Sequence, residues 1–340
     1  MAKLSILQFI RLQYKPQAPV LKADLTGQTI VVIGANTGLG YEAAKHFASM
    51  KPGRLVLGCR DRDKGDAAAT RIKAETGYQA EVWDIDLSRF ASVKAFVDKF
   101  EKECGRLDIL VENAGMTGSP AEEYSVTEDG WVPVFQVNNI APSLLALLLV
   151  PHMQRTAVEY GVTPRVVVVT SEAHYWADIK ELSESKPGEM LKEMSSEGYH
   201  KRSDMKTRYW ASKLLNVYFA RSLQNHIGPS IIVTSVNPGF SITSLRRDAG
   251  VILGALSWLV ERVMAFSAEV GSRQIVYGAV ADKGNELKGA YISGSEVVEP
   301  SDDVVSEEGV KMGERFWDEI VEVCKELDPR VKGIVDEYLQ

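Results

Sequence analysis

Short runs of β-branched and aliphatic residues recur along most of the chain, each followed by a longer stretch in which apolar residues return every three or four positions. "TIVVI" (29–33), "RLVLGC" (54–59), "AEVWDI" (80–85), "LDILV" (107–111), "RVVVVT" (165–170) and "IIVTSV" (231–236) are apolar almost without interruption. That is the pattern of strands covered on both faces of a parallel sheet, not of a sheet with one wet face. Helical periodicity fills 38–50, 64–76, 91–104, 128–150 and 210–226. Strand–helix–strand repetition at this spacing predicts one doubly wound α/β domain with about seven strands and helices on both faces. No internal repeat or low-complexity tract competes with it.

Two stretches break the rhythm. Residues 172–208 are polar and charged, and residues 240–270 join a serine-rich turn to an apolar helix. Both follow strands, and open α/β sheets bind ligands beyond the carboxyl ends of their strands. Both are therefore expected to cover a substrate. The sheet-forming domain is read as 24–295, with an N-terminal extension over 1–23 and a C-terminal helical extension over 296–340 whose amphipathic "ERFWDEIVEVCKEL" packs on the domain. The N-terminus has neither a long apolar core nor a small-residue cleavage site, so it reads as a docking helix or as a weak membrane-surface contact. The apolar runs 143–150 and 251–260 are too short to span a bilayer and read as buried helix faces.

Composition narrows the function. Hydrophobic content of 45% and charged content of 25% over 340 residues describe an ordinary soluble protein. A net charge of −7 argues against nucleic acid or an anionic membrane as partner. Cys59, Cys104 and Cys324 are far apart and form no C-x-x-C pair, which suggests neither disulfides nor zinc and fits a reducing, cytoplasmic compartment. The five histidines have no metal-ligand spacing, and Asp84 and Asp86 form no paired-carboxylate pattern for hydrolysis.

The candidate chemistry begins at "IGANTGLG", where Gly34, Gly38 and Gly40 separate the first strand from its helix. Glycines there permit close backbone approach, and the following helix offers free N–H groups to a phosphate. At the end of the second strand an acidic residue suits a ribose hydroxyl, whereas a cation suits a 2′-phosphate. "GCRDRDKG" puts Arg60 first, with Arg62 and Lys64 behind it, which favours NADP(H) over NAD(H). Tyr209 and Lys213 in "YWASK" share a helix face, so the ammonium can lower the pKa of the phenol and fit it for proton transfer at a carbonyl or alcohol oxygen. Ser171 ends a buried strand where it can bond the same oxygen. Asn138 is a polar group inside a helix, either binding a water or marking a kink. His174 and Tyr175, three and four residues after Ser171, are candidates for substrate contact or ordinary packing residues. Trp176, Trp210 and Trp258 could line an apolar pocket or belong to the core.

In this order the glycine loop, "ENAG" (112–115), Asn138, Ser171, Tyr209-x3-Lys213 and "NPG" (237–239) resemble the classical short-chain dehydrogenase/reductase superfamily over about residues 24–295. "CRDRDKG", "TSEAH", "YWASKLLNV" and "NPGF" are most similar to its retinol-dehydrogenase and WW-domain-oxidoreductase-like branch, many of whose members are fungal. The resemblance implies a Rossmann-type sheet and an NADP(H)-dependent carbonyl reductase or alcohol dehydrogenase. Tyr209 would be the general acid/base, Ser171 would orient the carbonyl, Lys213 would bind the nicotinamide ribose, and Asn138 would hold a relay water. Gly34, Asn36, Gly38, Leu39 and Gly40 would border the pyrophosphate, and Arg60 with Lys64 would meet the 2′-phosphate. Asp86 and Leu87 would flank adenine, Asn113 and Gly115 would line the adenosine side, and Pro238, Gly239 and Thr243 would close over the nicotinamide. No metal is implied.

The sequence departs from that pattern at Ile33, where threonine is usual, and at Glu112, where asparagine is usual. The 38 residues from Ser171 to Tyr209 exceed the spacing in compact members. The apolar 251–266 segment points to a hydrophobic ketone, aldehyde or secondary alcohol, such as a terpenoid, polyketide or retinoid, turned over by a monomer or a homodimer. Two alternatives stay open: a catalytically silent NADP-binding regulatory protein, and a redox-neutral epimerase or dehydratase on the same scaffold.

Overall fold

In the computed structural model, which describes residues 10–11, 13–118, 123–178, 185–241 and 265–339, the β-branched runs become strands. β1 (Thr29–Ile33), β2 (Arg54–Cys59), β3 (Glu81–Asp84), β4 (Ile109–Glu112), β5 (Arg165–Val169) and β6 (Ile232–Asn237) are joined by β7 (Tyr291–Ser293) and β8 (Glu296–Val298). They form one sheet in the order β3-β2-β1-β4-β5-β6-β7-β8. All neighbours are parallel except β7 and β8. Strand order reverses between β1 and β4, which opens a crevice at their carboxyl ends.

The helices are α1 (Gly38–Ser49), α2 (Arg62–Thr76), α3 (Phe90–Glu103), α4 (Pro133–Tyr160), α5 (Met190–Met194), α6 (Glu197–Arg202), α7 (Met205–His226), α8 (Ala268–Val280), α9 (Asp302–Val305), α10 (Glu307–Leu327) and α11 (Arg330–Tyr338). Alternating side chains of each strand feed two cores. Ile30 and Val32 pack with Phe47 of α1, Ile72 of α2 and Ile275 of α8. Val31 and Ile33 face the other layer, with Phe96 of α3, Leu144 of α4, Leu214 of α7 and Phe316 of α10. Burying both faces is what the uninterrupted apolar runs require, and each such side chain contributes roughly 1.5–3 kcal/mol.

Three features differ from the sequence expectation. The sheet has eight strands, not about seven. The added strands are only three residues long, too short for a periodicity to register, but their two-residue connection was readable. Gly294 and Ser295 both have positive φ, +63° and +58°, as a type I′ hairpin turn demands. The second difference is α4, which begins at Pro133 and runs past the apolar segment to Gly161, whose φ of +63° stops it. At 28 residues, with a window of mean hydropathy 1.6, it is long and apolar enough to cross a membrane, which corrects the reading that its run is too short. In this fold 89% of that window is buried, so it serves as the central core helix.

The third concerns 172–208. Its described part is no loose polar cover: Met190, Leu191, Met194 and Tyr199 are buried in the same core as Phe316. The C-terminal helix α10 anchors it. Glu319 Oε1 accepts the Leu191 N–H at 2.5 Å, and Arg315 donates to the carbonyls of Ser185 and Lys186, both at 2.7 Å.

Candidate functional site

The β1–α1 turn has the geometry of an anion seat. Gly34 has φ +79°, and a Cβ there would lie 2.9 Å from the Ala114 Cα. A Cβ on Gly40 would strike the Asn113 amide and the Gly34 carbonyl, so α1 can begin only where no side chain intervenes. Over Gly38 nothing lies within 4 Å. Thr37, the residue preceding α1, gives no side-chain hydrogen bond, and the first turn holds no acid. By contrast Asp61, Asp204, Ser267 and Ser306 each cap their own helix with a side-chain oxygen. The N–H groups opening α1 are therefore free to meet a pyrophosphate, with the helix dipole favouring its charge. Asn36 borders the turn, its carbonyl accepting from Arg71 at 3.3 Å. Leu39 lies against Gly271 of α8, where a Cβ would fall 2.7 Å from its methyl.

Asn113 ties this turn to β4 by donating to the carbonyls of Ile33 at 3.3 Å and Gly34 at 3.0 Å. Beyond β3, Asp86 accepts from the Ser88 amide at 3.0 Å and hydroxyl at 2.7 Å, while Leu87 is buried beside it. At the end of β2 the cations are unequal. Lys64 is held by Asp61 at 2.6 Å, and Arg62 by Asp66 at 3.2 Å. Arg60 is exposed, with no ion pair among the described residues. Of the two cations expected at a 2′-phosphate, the geometry leaves Arg60 available and engages Lys64.

The reacting cluster is built where α7 passes the ends of β4 and β5. Asp204 caps α7 by accepting the Thr207 N–H at 2.7 Å, which fixes the helix start just ahead of Tyr209. Lys213 Nζ lies 5.7 Å from the Tyr209 ring centroid. It donates to the Val169 carbonyl at 3.1 Å and is fully buried, and desolvation pulls its pKa from 10.5 to about 8. Thr170 locks the approach by donating to the Lys213 carbonyl at 2.8 Å. One residue on, Ser171 accepts the Ala173 N–H at 3.1 Å, which leaves its hydroxyl proton for another acceptor.

Asn138 sits in a π-helical turn, Gln136–Ile140, inside α4. Its Oδ1 accepts the Met116 N–H at 2.8 Å, and its Nδ2 donates to the Met116 carbonyl at 2.9 Å and to Ser212 Oγ at 3.0 Å. The side chain is thus a clamp between the segment that follows Gly115 and α7, and a relay water would have to meet its backbone or the remaining lone pair of Oδ1. Asn139 points elsewhere, to the Ser212 carbonyl at 2.8 Å and to Asn216 at 2.6 Å. Gly115 closes the cluster: a Cβ there would lie 3.3 Å from Asn138 Oδ1 and 3.6 Å from Lys213 Nζ.

Pro238 and Gly239 follow β6, and Gly239 lies under the Phe266 ring, 2.9 Å from where its Cβ would be. Thr243, Trp258 and most of 251–266 fall outside the described residues. Trp176 and Trp210 form a tilted pair, 5.9 Å between centroids, next in sequence to Tyr209. His174 is corrected as a candidate for substrate contact. It is 0% exposed, its Nδ1 lies 2.8 Å from the Ser171 carbonyl, and its Nε2 accepts the Ser301 N–H at 3.2 Å. Burial lowers its pKa to about 4, so it is a neutral strut.

The two sequence departures are neighbours. Ile33 and Glu112 face one another in the β1–β4 register. Ile33 fills the space over Gly58, its Cδ1 2.8 Å from a Cβ placed there. Glu112 is buried, neither carboxylate oxygen has a partner, and desolvation raises its pKa well above 4.5. A group whose folded pKa is raised binds its proton more tightly when folded, so stability falls as pH rises above the unfolded value. Glu112→Met should raise stability by about 1–3 kcal/mol, the usual cost of a buried unsatisfied polar group. The gain should be larger at pH 8 than at pH 5 in urea denaturation, and equal values at both pH values would count against a protonated Glu112.

A family profile described as short chain dehydrogenase matches residues 28–176. The short chain dehydrogenase FGM9 of Gibberella zeae is 30% identical over 338 residues, covering 97% of this chain and 95% of that one. The short chain dehydrogenase atnD of Emericella nidulans is 33% identical over 293 residues, 84% of this chain and 88% of its own. Among solved structures, an uncharacterized protein from Mycobacterium paratuberculosis superposes with a TM-score of 0.64 at 25% identity, over 90% of this chain and 98% of that one.

Proposed function

Because the chain belongs to the short-chain dehydrogenase/reductase family of oxidoreductases, we propose that it is an NADP(H)-dependent carbonyl reductase, or alcohol dehydrogenase in the reverse direction. Its substrate would be a hydrophobic ketone, aldehyde or secondary alcohol. The observation that carries this reading is the buried Lys213 ammonium placed beside Tyr209 at the carboxyl end of β5, with Ser171 next to the strand end that Lys213 bonds.

The residues present fit a dinucleotide. The uncapped start of α1 and the open space over Gly38 would take the pyrophosphate, and Arg60 the 2′-phosphate. Asp86, Leu87, Asn113 and Gly115 would flank the adenosine half, and Pro238 with Gly239 the nicotinamide. A nicotinamide held there supplies or accepts the hydride. The protein handles the proton. In reduction Tyr209 gives its hydroxyl proton to the carbonyl oxygen as charge develops there, and in oxidation it takes that proton back. Lys213 stabilises the resulting phenolate, and Ser171 bonds the same substrate oxygen and holds it in line. Asn138 and Gly115 keep α7 and the end of β4 close enough for this to happen.

Arg60 tests the cofactor choice. Arg60→Ala should raise the KM for NADPH about 10- to 100-fold, the loss of one charge-assisted bond to phosphate, and leave the KM for NADH unchanged. Equal effects on both cofactors would count against a 2′-phosphate at this site.

A further inference from the structure

A cavity of about 180 Å³ opens between the N-terminal segment, the Asn237–Gly239 turn and the β7–β8 hairpin. Ser171, Tyr209, Lys213, Asn138 and the glycine turn do not line it, and Pro238 and Gly239 are its only residues in common with the proposed cofactor seat. Its wall is largely hydrocarbon, from Phe266, Val298 and Pro238, yet among the described residues Gln13 Oε1 in it has no partner, and the Tyr291 hydroxyl has only the Asn237 side chain beside it. Gln13 and Tyr291 are 7% and 1% exposed. Gln13 Oε1 lies 4.0 Å from the point where a side chain on Gly239 would begin, which places it at the cavity.

Asn237 meets the Tyr291 hydroxyl only as a shared donor, and its own oxygen is filled, so it takes no proton from Tyr291. Its two amide protons go to Glu172 Oε2 at 2.7 Å and Ser293 Oγ at 3.2 Å. Its oxygen accepts from the backbones of Glu172 at 3.2 Å and Gly239 at 3.0 Å. Buried polar atoms are rarely left orphaned without a ligand or water to meet them.

We infer that this cavity is a second binding site, for a small, mostly apolar molecule that carries one hydroxyl group. The hydroxyl donates to Gln13 Oε1 and accepts from the Tyr291 O–H, while the hydrocarbon body lies on Phe266, Val298 and Pro238. The cavity is far larger than the about 10–15 Å³ that one water needs, and Phe266, Val298 and Pro238 give it an apolar side. An anion is disfavoured by the Glu172 carboxylate at the cavity wall. The site does not depend on the cofactor assignment.

The test uses phenol and its methyl ether as probes, since phenol is no secondary alcohol, titrated into the full chain by ligand-observed NMR with and without NADPH. Saturable phenol binding under both conditions is expected, with the ether about fivefold weaker because it lacks the donor. Tyr291→Phe and Gln13→Leu should each weaken phenol about fivefold, and Tyr209→Phe should leave it unchanged. Tyr291→Phe removes a single hydroxyl that has the Asn237 side chain beside it, so it decides the matter alone if Gln13→Leu fails to fold. No saturable binding, binding indifferent to Tyr291→Phe, binding lost in Tyr209→Phe, or a soaked crystal with only ordered water at the two atoms would each overturn the assignment.

Discussion

Tyr209→Phe should lower kcat by about 10²- to 10⁴-fold, the range a positioned general acid supplies, while NADPH affinity stays within a factor of about two. The asymmetry follows from where the hydroxyl acts. Phenylalanine keeps the ring that lies 5.7 Å from Lys213 Nζ, and it leaves untouched both the Asp204 cap that starts α7 and the bond from Thr170 that fixes Lys213. The hydroxyl is lost, and with it the transferable proton. Turnover is read as NADPH oxidation across small aromatic, cyclic and long-chain carbonyls, and affinity as a fluorescence titration. Near-normal turnover in the variant would make Tyr209 a packing residue and remove the mechanism. Unchanged affinity with no turnover in the wild-type protein on any carbonyl would favour a silent cofactor-binding protein.

What the sequence disclosed and what it hid follow from the range of the interactions. Buried parallel strands and the glycine turn are local patterns, so β1 to β6 and the turn into α1 are legible directly. Tyr209 and Lys213 were legible because helical spacing alone puts four-residue neighbours on one face. Glu112 could be flagged as an unusual residue, but its isolation depends on lying between Ile33 and Val168 in two strand registers. His174, three residues after Ser171, is open from sequence to either substrate contact or packing. Its true partner, the Ser301 amide, is 127 residues away. The same distance effect hid the role of α10. Arg315 and Glu319 hold a segment about 130 residues earlier, a relation no periodicity encodes. The partner of Lys64 is the opposite case, since Asp61 lies only three residues before it.

Lys213→Met should separate catalysis from stability more sharply than any other substitution. The ammonium is buried without a carboxylate, and its pKa falls from 10.5 to about 8 for that reason alone. Between those values the unfolded chain binds the extra proton and the folded chain does not, so the group's contribution to stability rises with pH across that window. Below about pH 8 the folded state carries the full cost of the buried charge, about 3 kcal/mol for a shift of this size. Methionine fills similar space without the charge. The variant should therefore be more stable than wild type near pH 7, and the difference should shrink as pH rises toward 10.5. Activity should move the other way, falling about 10²-fold or more as the phenolate loses its stabilising cation. In the wild-type protein the rate of carbonyl reduction should decline above about pH 8, where Lys213 discharges, and the variant should lack that limb. A variant that is destabilised at pH 7, or one that keeps the wild-type pH profile, would show that Lys213 is not the group whose charge the phenol needs.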